Sequence, residues 1–169
     1  MKLFIKQNLM SAFDHFYVKD EQGFDVYEVR GNTGIRVGLK LRIYDLMNHE
    51  LCYIEQKNLS LLPTFKIFKD GVQVATIVKK FTLVKPKYVV EELGWEIDGD
   101  FLAHEYVIKD SVEKIATISK DWTLWVDSFS LHMQREEHVL EALACILAID
   151  YVVDQESDDI KISNKSGSF

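Results

Sequence analysis

EEHVLEALACILAIDYVVD, residues 136–154, is the stretch that decides the fold. Neither Gly nor Pro interrupts it, and Glu136 and Glu137 in its opening turn suit the positive end of a helix dipole. Its middle, residues 142–149, is apolar on every face, so a helix here must be buried on every face. The apolar run over residues 139–149 spans only about 16 Å as a helix, too short for a bilayer core of roughly 30 Å. The sequence therefore predicts a helix over about residues 136–154, inside the protein.

The residues before this helix repeat a pattern that is typical of β-hairpins: an alternating segment, an Asp, a turn and a second alternating segment. The first strand of each unit ends at Asp20, Asp45, Asp70 or Asp110, and the first three are spaced 25 residues apart. The short Asp side chain caps a turn, and Asp70-Gly71 favours a tight two-residue turn. We also expect a degenerate hairpin over residues 88–101, turning near residues 93–94, and further strands near residues 2–7 and 123–133.

A closed barrel reconciles these strands with the buried helix. About eight strands make a barrel filled by side chains alone, whereas eleven or twelve leave room for a helix. We therefore predict a mainly β fold, a closed antiparallel β-barrel of about twelve strands that encloses a central hydrophobic C-terminal α-helix. The barrel forms a single domain over residues 1–169. We expect the tail to add a short strand at residues 159–162 and to be flexible over residues 164–169.

Composition agrees with one globular domain and excludes several classes of protein. The chain has 169 residues, 47% of them hydrophobic, and a net charge of −7, which argues against a nucleic-acid partner. Eight of the 27 acids fall in residues 136–159, where no Lys or Arg occurs, so the rest of the chain is nearly neutral. Cys52 and Cys145 belong to no C-x-x-C pair, and no signal peptide or transmembrane run is evident. We expect a cytoplasmic protein.

Several segments resemble the LURP-one-related family, over about residues 1–155. They are YVKDEQG at 17–23, LRIYD at 41–45, SLLP at 60–63, PK at 86–87, WEIDGDF at 95–101, ISK at 118–120 and LAID at 147–150. The family is similar to the tubby C-terminal domain and to phospholipid scramblases, and the resemblance implies a twelve-stranded barrel around a helix. Tubby proteins bind phosphoinositide headgroups and scramblases act at membranes. No lipid-binding motif matches residue by residue, and the family has no agreed catalytic residues, so the resemblance carries over no site.

The candidate binding site is a basic cluster, KKFTLVKPKY, at residues 79–88. Its four lysines can attract phosphate headgroups, and its aromatic residues suit a membrane interface. The alternative is a solvated hairpin edge on which lysines block strand pairing. The candidate anion or lipid-headgroup residues are Lys79, Lys80, Lys85 and Lys87.

No other motif points to catalysis, a metal or a cofactor. His132 and His138 are six residues apart across a turn, which does not suit zinc. Asp127, Ser128 and His132 are close in sequence, but a catalytic triad assembles from distant elements. The glycines at 31, 34 and 38 precede no helix, and the acids at 154–159 lack the spacing of a calcium loop.

Asp150 directly follows the apolar run, and we place it at the barrel mouth. A buried carboxylate needs partners, so we expect it to accept hydrogen bonds from backbone N–H groups or from a Lys at the rim.

Two functions remain open at this point. One is a non-enzymatic cytoplasmic module that binds an anionic phospholipid at the membrane surface. This hypothesis rests on the lysine cluster. The other is a protein-interaction or stress-response scaffold whose partner docks on the barrel wall. An enzyme acting on a small molecule is a third, weaker hypothesis, because a helix that fills the barrel leaves little room for a pocket. The oligomeric state is not predicted.

Overall fold

The computed structural model describes residues 1–6, 15–34, 38–120 and 128–166. Within these residues, twelve strands precede one long helix. The strands are β1 Lys2–Lys6, β2 His15–Lys19, β3 Asp25–Gly34, β4 Gly38–Tyr44, β5 Glu50–Gln56, β6 Thr64–Lys69, β7 Val72–Lys80, β8 Lys87–Val90, β9 Trp95–Asp100, β10 Glu105–Lys109, β11 Lys114–Lys120 and β12 Ser128–Met133. A 3-10 turn at Glu136–His138 leads into helix α1, Val139–Ser166.

The strands form one closed antiparallel barrel in which each strand pairs with its neighbours in sequence. β1 closes the ring by pairing with both β12 and β2; for example, Phe4 lies opposite Ser130 on one side and Lys19 on the other. The predicted hairpins, including the degenerate one at residues 88–101, are present as β2–β3, β4–β5, β6–β7, β8–β9 and β10–β11. The predicted fold class is confirmed.

Alternating side chains divide each strand into an inner and an outer face. In β4, Leu39, Leu41 and Ile43 are buried while their neighbours are half-buried. In β7 the buried residues are Ala75, Ile77 and Lys79. The residues that alternate with them, such as Val74, face outward. A lysine therefore occupies an inward position in an otherwise apolar row.

Helix α1 fills the barrel. Every residue from Glu141 to Val153 is buried. Thirteen consecutive helical residues cover all faces of a helix, so the barrel wall must surround this part of α1. Ring contacts to separate strands hold both ends of this segment: Trp95 meets His138 in the 3-10 turn before the helix, and Phe65 meets Tyr151 in the helix edge-on at 6.3 Å. The apolar faces of strands and helix thus form one core.

The helix is longer than the sequence analysis predicts. The prediction of a strand at residues 159–162 is wrong, because α1 continues as a helix from residue 154 to Ser166. A closed barrel leaves no strand edge with which a further strand could pair. Local bonds also favour the helix: the Ser157 hydroxyl donates to the Val153 carbonyl, and Lys161 pairs with Asp158. Residues 164–166 are helical too, and residues 167–169 lie outside the described residues.

The barrel has two distinct ends. We call the end where α1 begins the turn end; it carries the short turns after β2, β4, β6, β8 and β10. We call the other the loop end; there the helix leaves the barrel beside the segments 57–63, 81–86 and 101–104. The part of the last predicted strand at residues 123–127, the connection at 35–37 and Gln7 lie outside the described residues.

Candidate functional site

The turn-end aspartates close their turns through side-chain hydrogen bonds. Asp20 Oδ1 accepts from the backbone N–H groups of residues 22 and 24, and Asp45 Oδ1 accepts from those of residues 47 and 49. Asp110 Oδ1 accepts from those of residues 112 and 113, at 2.7 and 2.8 Å. These backbone bonds hold the pKa of Asp45 and of Asp110 below its usual value. Asp70 and Gly71 both have positive φ, 50° and 75°, which a type I′ hairpin turn requires.

Three of the four candidate lysines lie on the barrel wall, on opposite faces of it. Lys79 points inward and is only 3% exposed. Lys80 and Lys87 lie opposite each other in the β7–β8 register, on the outer face. Both have acidic neighbours: Lys80 Nζ lies 3.9 Å from Glu91, and Lys87 Nζ lies 3.1 Å from Glu96. The outer pair and Lys79 therefore cannot contact one small anion together.

Lys85 lies on the exposed segment between β7 and β8. Thr82 shapes this segment, since its hydroxyl donates to the Lys85 carbonyl at 2.5 Å and accepts from the Lys85 N–H at 3.2 Å. This turn directs Leu83 and Val84 into solvent, where both are almost fully exposed. In the part of the chain that the structure describes, Lys85 forms no ion pair.

Lys79 forms an ion pair with Glu156, on the part of α1 that leaves the barrel. Its ammonium group also lies 5.7 Å from the Phe81 ring centre and 6.0 Å from that of Tyr88. Burial raises the pKa of the Tyr88 phenol, and the Glu156 carboxylate raises it further. The Lys79 side chain is 4% exposed and that of Glu156 51%, so the carboxylate reaches in from solvent to neutralise a buried cation.

A cavity of about 500 Å³ opens beside this pair at the loop end. The Lys79–Glu156 pair lines it together with Tyr88, Phe101, Val153 and Ile160. Tyr88 and Phe101 meet edge-on with ring centres 5.0 Å apart. The cavity is therefore largely apolar, with one buried cation at its wall.

Large apolar side chains project from three neighbouring segments of the loop end. Those we call the apolar loop surface are Leu59, Leu61, Phe81, Leu83, Val84 and Leu102, all exposed. The first segment bonds to the end of β7, just before the second segment, because the Lys79 N–H donates to the Pro63 carbonyl at 3.0 Å. The second and third both line the cavity, through Lys85 and Leu102. Exposed apolar groups that cluster in this way mark interaction sites.

The other sequence-predicted site residue, Asp150, is fully buried in the barrel. Its Oδ1 lies 3.5 Å from His104 Nδ1, and the His104 ring stacks on Phe129 with ring centres 4.7 Å apart. Burial, and then the charge of Lys120, lower the pKa of His104. The neighbouring Tyr106 phenol has a raised pKa because of burial and the Asp150 charge. Asp150 is thus buried beside a residue of the loop-end segment 101–104.

Nothing in the described residues resembles a catalytic or metal centre. Within them, no group of three His, Cys, Asp or Glu residues is arranged to hold a metal ion. Cys52 and Cys145 are both buried, and burial raises the pKa of the Cys52 thiol to about 12. Asp127 lies outside the described residues. Within the same residues, no helix is both long and apolar enough to cross a membrane.

The sequence interpretation missed the segment at residues 57–63. Its exposed Leu59 and Leu61 belong to the apolar loop surface, and Lys57 has no ion-pair partner among the described residues. The signal was present, since KNLSLLP places a lysine and apolar residues in a turn-rich stretch where burial is not expected.

Three comparisons relate this chain to other proteins. The model of the LURP-one-related family matches residues 1–150. YxjI of Bacillus subtilis (strain 168), described as an uncharacterized protein, is 35% identical over 159 residues, or 94% of this chain and 98% of that protein. An X-ray structure of a protein from Arabidopsis thaliana matches with a TM-score of 0.57 and 12% identity, covering 86% of this chain and 88% of that one. This structural likeness supports the fold alone.

Proposed function

This chain belongs to the LURP-one-related family, and we propose that it is a non-enzymatic binding module that docks its loop end on anionic membrane surfaces. The observation that carries the proposal is the apolar loop surface. Leu61 and Leu83, on separate segments, are fully exposed. Keeping such side chains in water forfeits roughly 1.5–3 kcal/mol each relative to burial. Insertion of the loop tips into a membrane interface recovers part of that free energy.

Charge supports the loop end over the turn end. Lys57 and Lys85 flank the exposed tips, and each basic group near an anionic surface contributes about 1 kcal/mol. Exposed apolar residues such as Met47 and Val112 also occur at the turn end, but they lie beside acids such as Asp45 and Asp110. An anionic surface repels those acids.

The acids on the protruding part of α1 limit the electrostatic attraction. Glu156 is neutralised by Lys79, whereas Asp158 and Asp159 are exposed near the same end. The apolar tips therefore supply most of the binding free energy, and the outer lysines Lys80 and Lys87, already beside acids, contribute less. Salt should weaken the binding only modestly.

Vesicle co-sedimentation tests the proposal. The wild type should sediment with vesicles of phosphatidylcholine and phosphatidylserine and less with phosphatidylcholine alone. The double variant Leu61→Ser/Leu83→Ser should lose at least tenfold in partition coefficient, about 1.4 kcal/mol or more. The matched turn-end variant Met47→Ser/Val112→Ser should bind as the wild type does. Absence of wild-type binding, or an equal loss in both variants, overturns the proposal.

A protein partner is the second candidate, and the protruding part of α1 is the observation that favours it. Ile160 and Ile162 are exposed there, directly after the exposed acids Asp158 and Asp159. A partner with a basic, partly apolar surface would complement this segment. The protein-partner proposal is supported by two results together. The wild type does not bind vesicles, and a partner captured in a pull-down is lost in Ile162→Glu but retained in the Leu61→Ser/Leu83→Ser variant.

A further inference from the structure

The cavity beside Lys79 has the chemistry of a ligand site. Its volume of about 500 Å³ lies within the range of roughly 300–1,000 Å³ usual for small-molecule pockets. Phe101 and Val153 give it an apolar wall. Two lysines, Lys79 and Lys85, and two acids, Asp100 and Glu156, also line it, but Lys79 is the buried cation among them. An apolar space with a buried cation in its wall suits a molecule with a chain and an anionic head.

Lys79 requires an anion. A lysine is almost never buried without a partner, because the unpaired ammonium group loses its hydration. At present the partner is Glu156, whose side chain is half exposed and enters from the last part of the helix. The Glu156 carboxylate can return to water without a burial cost, whereas the Lys79 ammonium group cannot. An anion arriving from solvent can therefore replace Glu156 without leaving a buried charge unpaired.

We propose that this cavity binds one amphipathic molecule with an anionic head and an aliphatic chain. The head, a carboxylate or phosphate monoester, takes the place of the Glu156 carboxylate at Lys79. The chain lies against Phe101, Val153 and Ile160. Glu156 thus acts as an internal competitor that occupies the site when no ligand is present. The site does not depend on membrane docking, since a monomeric amphiphile can enter it from solution.

Calorimetric titration with monomeric amphiphiles, without vesicles, tests this site. Dodecanoate or dodecyl phosphate should bind, and dodecanol and dodecyltrimethylammonium should bind at least tenfold more weakly. Glu156→Gln should raise the affinity for the anion severalfold, because it removes the competing charge. Equal binding of the cation and the anions, or no anion binding by either the wild type or Glu156→Gln, overturns the proposal.

Matched variants locate the binding. Lys79→Met should weaken anion binding at least tenfold, while Lys87→Met, on the outer wall, should leave it unchanged. If Lys79→Met does not fold, the pair Ile160→Glu and Ile162→Glu decides, since both residues are exposed but only Ile160 lines the cavity. Ile160→Glu should weaken binding at least tenfold and Ile162→Glu should not; equal effects place the ligand elsewhere. The amphiphile titration is independent of the vesicle co-sedimentation, so a chain that does not bind vesicles can still bind the monomeric anion.

Discussion

Gly99 allows β9 and β10 to pass closely at the wall of the cavity, and replacing it by Ala tests that packing. Gly99 lies opposite Tyr106 in the register and has φ of 150°. A Cβ atom added there would lie 2.3 Å from the Glu105 carbonyl oxygen and 2.5 Å from Tyr106 Cα. Both are backbone atoms, so no side-chain rotation relieves the clash.

The magnitude follows from two additive costs. The backbone conformation, which L residues rarely adopt, costs roughly 1–3 kcal/mol. Forcing the two strands apart by about an ångström resembles overpacking, at roughly 1–3 kcal/mol more. Gly94 is the matched control: its φ is 64°, but an added Cβ would meet nothing within 4 Å. We expect Gly99→Ala to lower the free energy of unfolding by about 4 kcal/mol and Gly94→Ala by about 1 kcal/mol.

Urea denaturation, followed by tryptophan fluorescence, measures both variants. Both variants replace a glycine of positive φ, but only the Cβ atom at residue 99 meets backbone atoms, so the difference between them reports chiefly the strand-to-strand clash. A Gly99→Ala variant as stable as Gly94→Ala would refute the close approach of β9 and β10. The amphiphile titration gives a second readout, since separating the strands at Gly99 also deforms the cavity.

Three further predictions concern buried groups. The pKa of His104 is lowered in the folded protein, so as the pH falls the unfolded chain takes up a proton near pH 6.5, before the folded protein does. The free energy of unfolding is therefore greatest above that pH and decreases below it. His104→Asn, in which Asn tolerates the positive φ, should reduce this pH dependence in denaturation curves between about pH 7 and pH 5.5. Asp150→Ala should lower the free energy of unfolding by about 2–4 kcal/mol, and an unchanged denaturation midpoint would contradict its role as a partnered carboxylate. Cys52 and Cys145 should resist a thiol reagent at neutral pH in the folded protein and react in urea, because burial raises both thiol pKa values; rapid native reaction would contradict their burial.

Much of the fold is predictable from local sequence. A helix that is apolar on all faces, preceded by alternating segments that end at Asp, admits few arrangements, and the closed barrel is the one observed. The end of α1 was not predictable in this way. Residues 159–162 alternate as a strand would, and only closure of the barrel, a long-range property, removes the edge that a strand needs.

The site was less predictable, although one signal was available. Lys79 and Lys80 are neighbours in a strand, so they face opposite sides, and Lys79 is in phase with the buried Ala75 and Ile77. The partner of Lys79 lies 77 residues away on the helix, a separation that no local pattern reveals. The cavity beside them is lined by strand, loop and helix residues together and therefore required the three-dimensional structure.

Site-specific labelling tests membrane docking by the loop end most directly. Leu83→Cys and Val112→Cys place one exposed thiol at the loop end and at the turn end, and the two buried native thiols should not compete for the label. An environment-sensitive fluorophore is attached to each variant, and its emission is recorded with and without phosphatidylcholine–phosphatidylserine vesicles. The label at residue 83 should shift to the blue and gain intensity, while that at residue 112 should not change. A shift at residue 112 alone, or at neither residue, would contradict docking by the loop end.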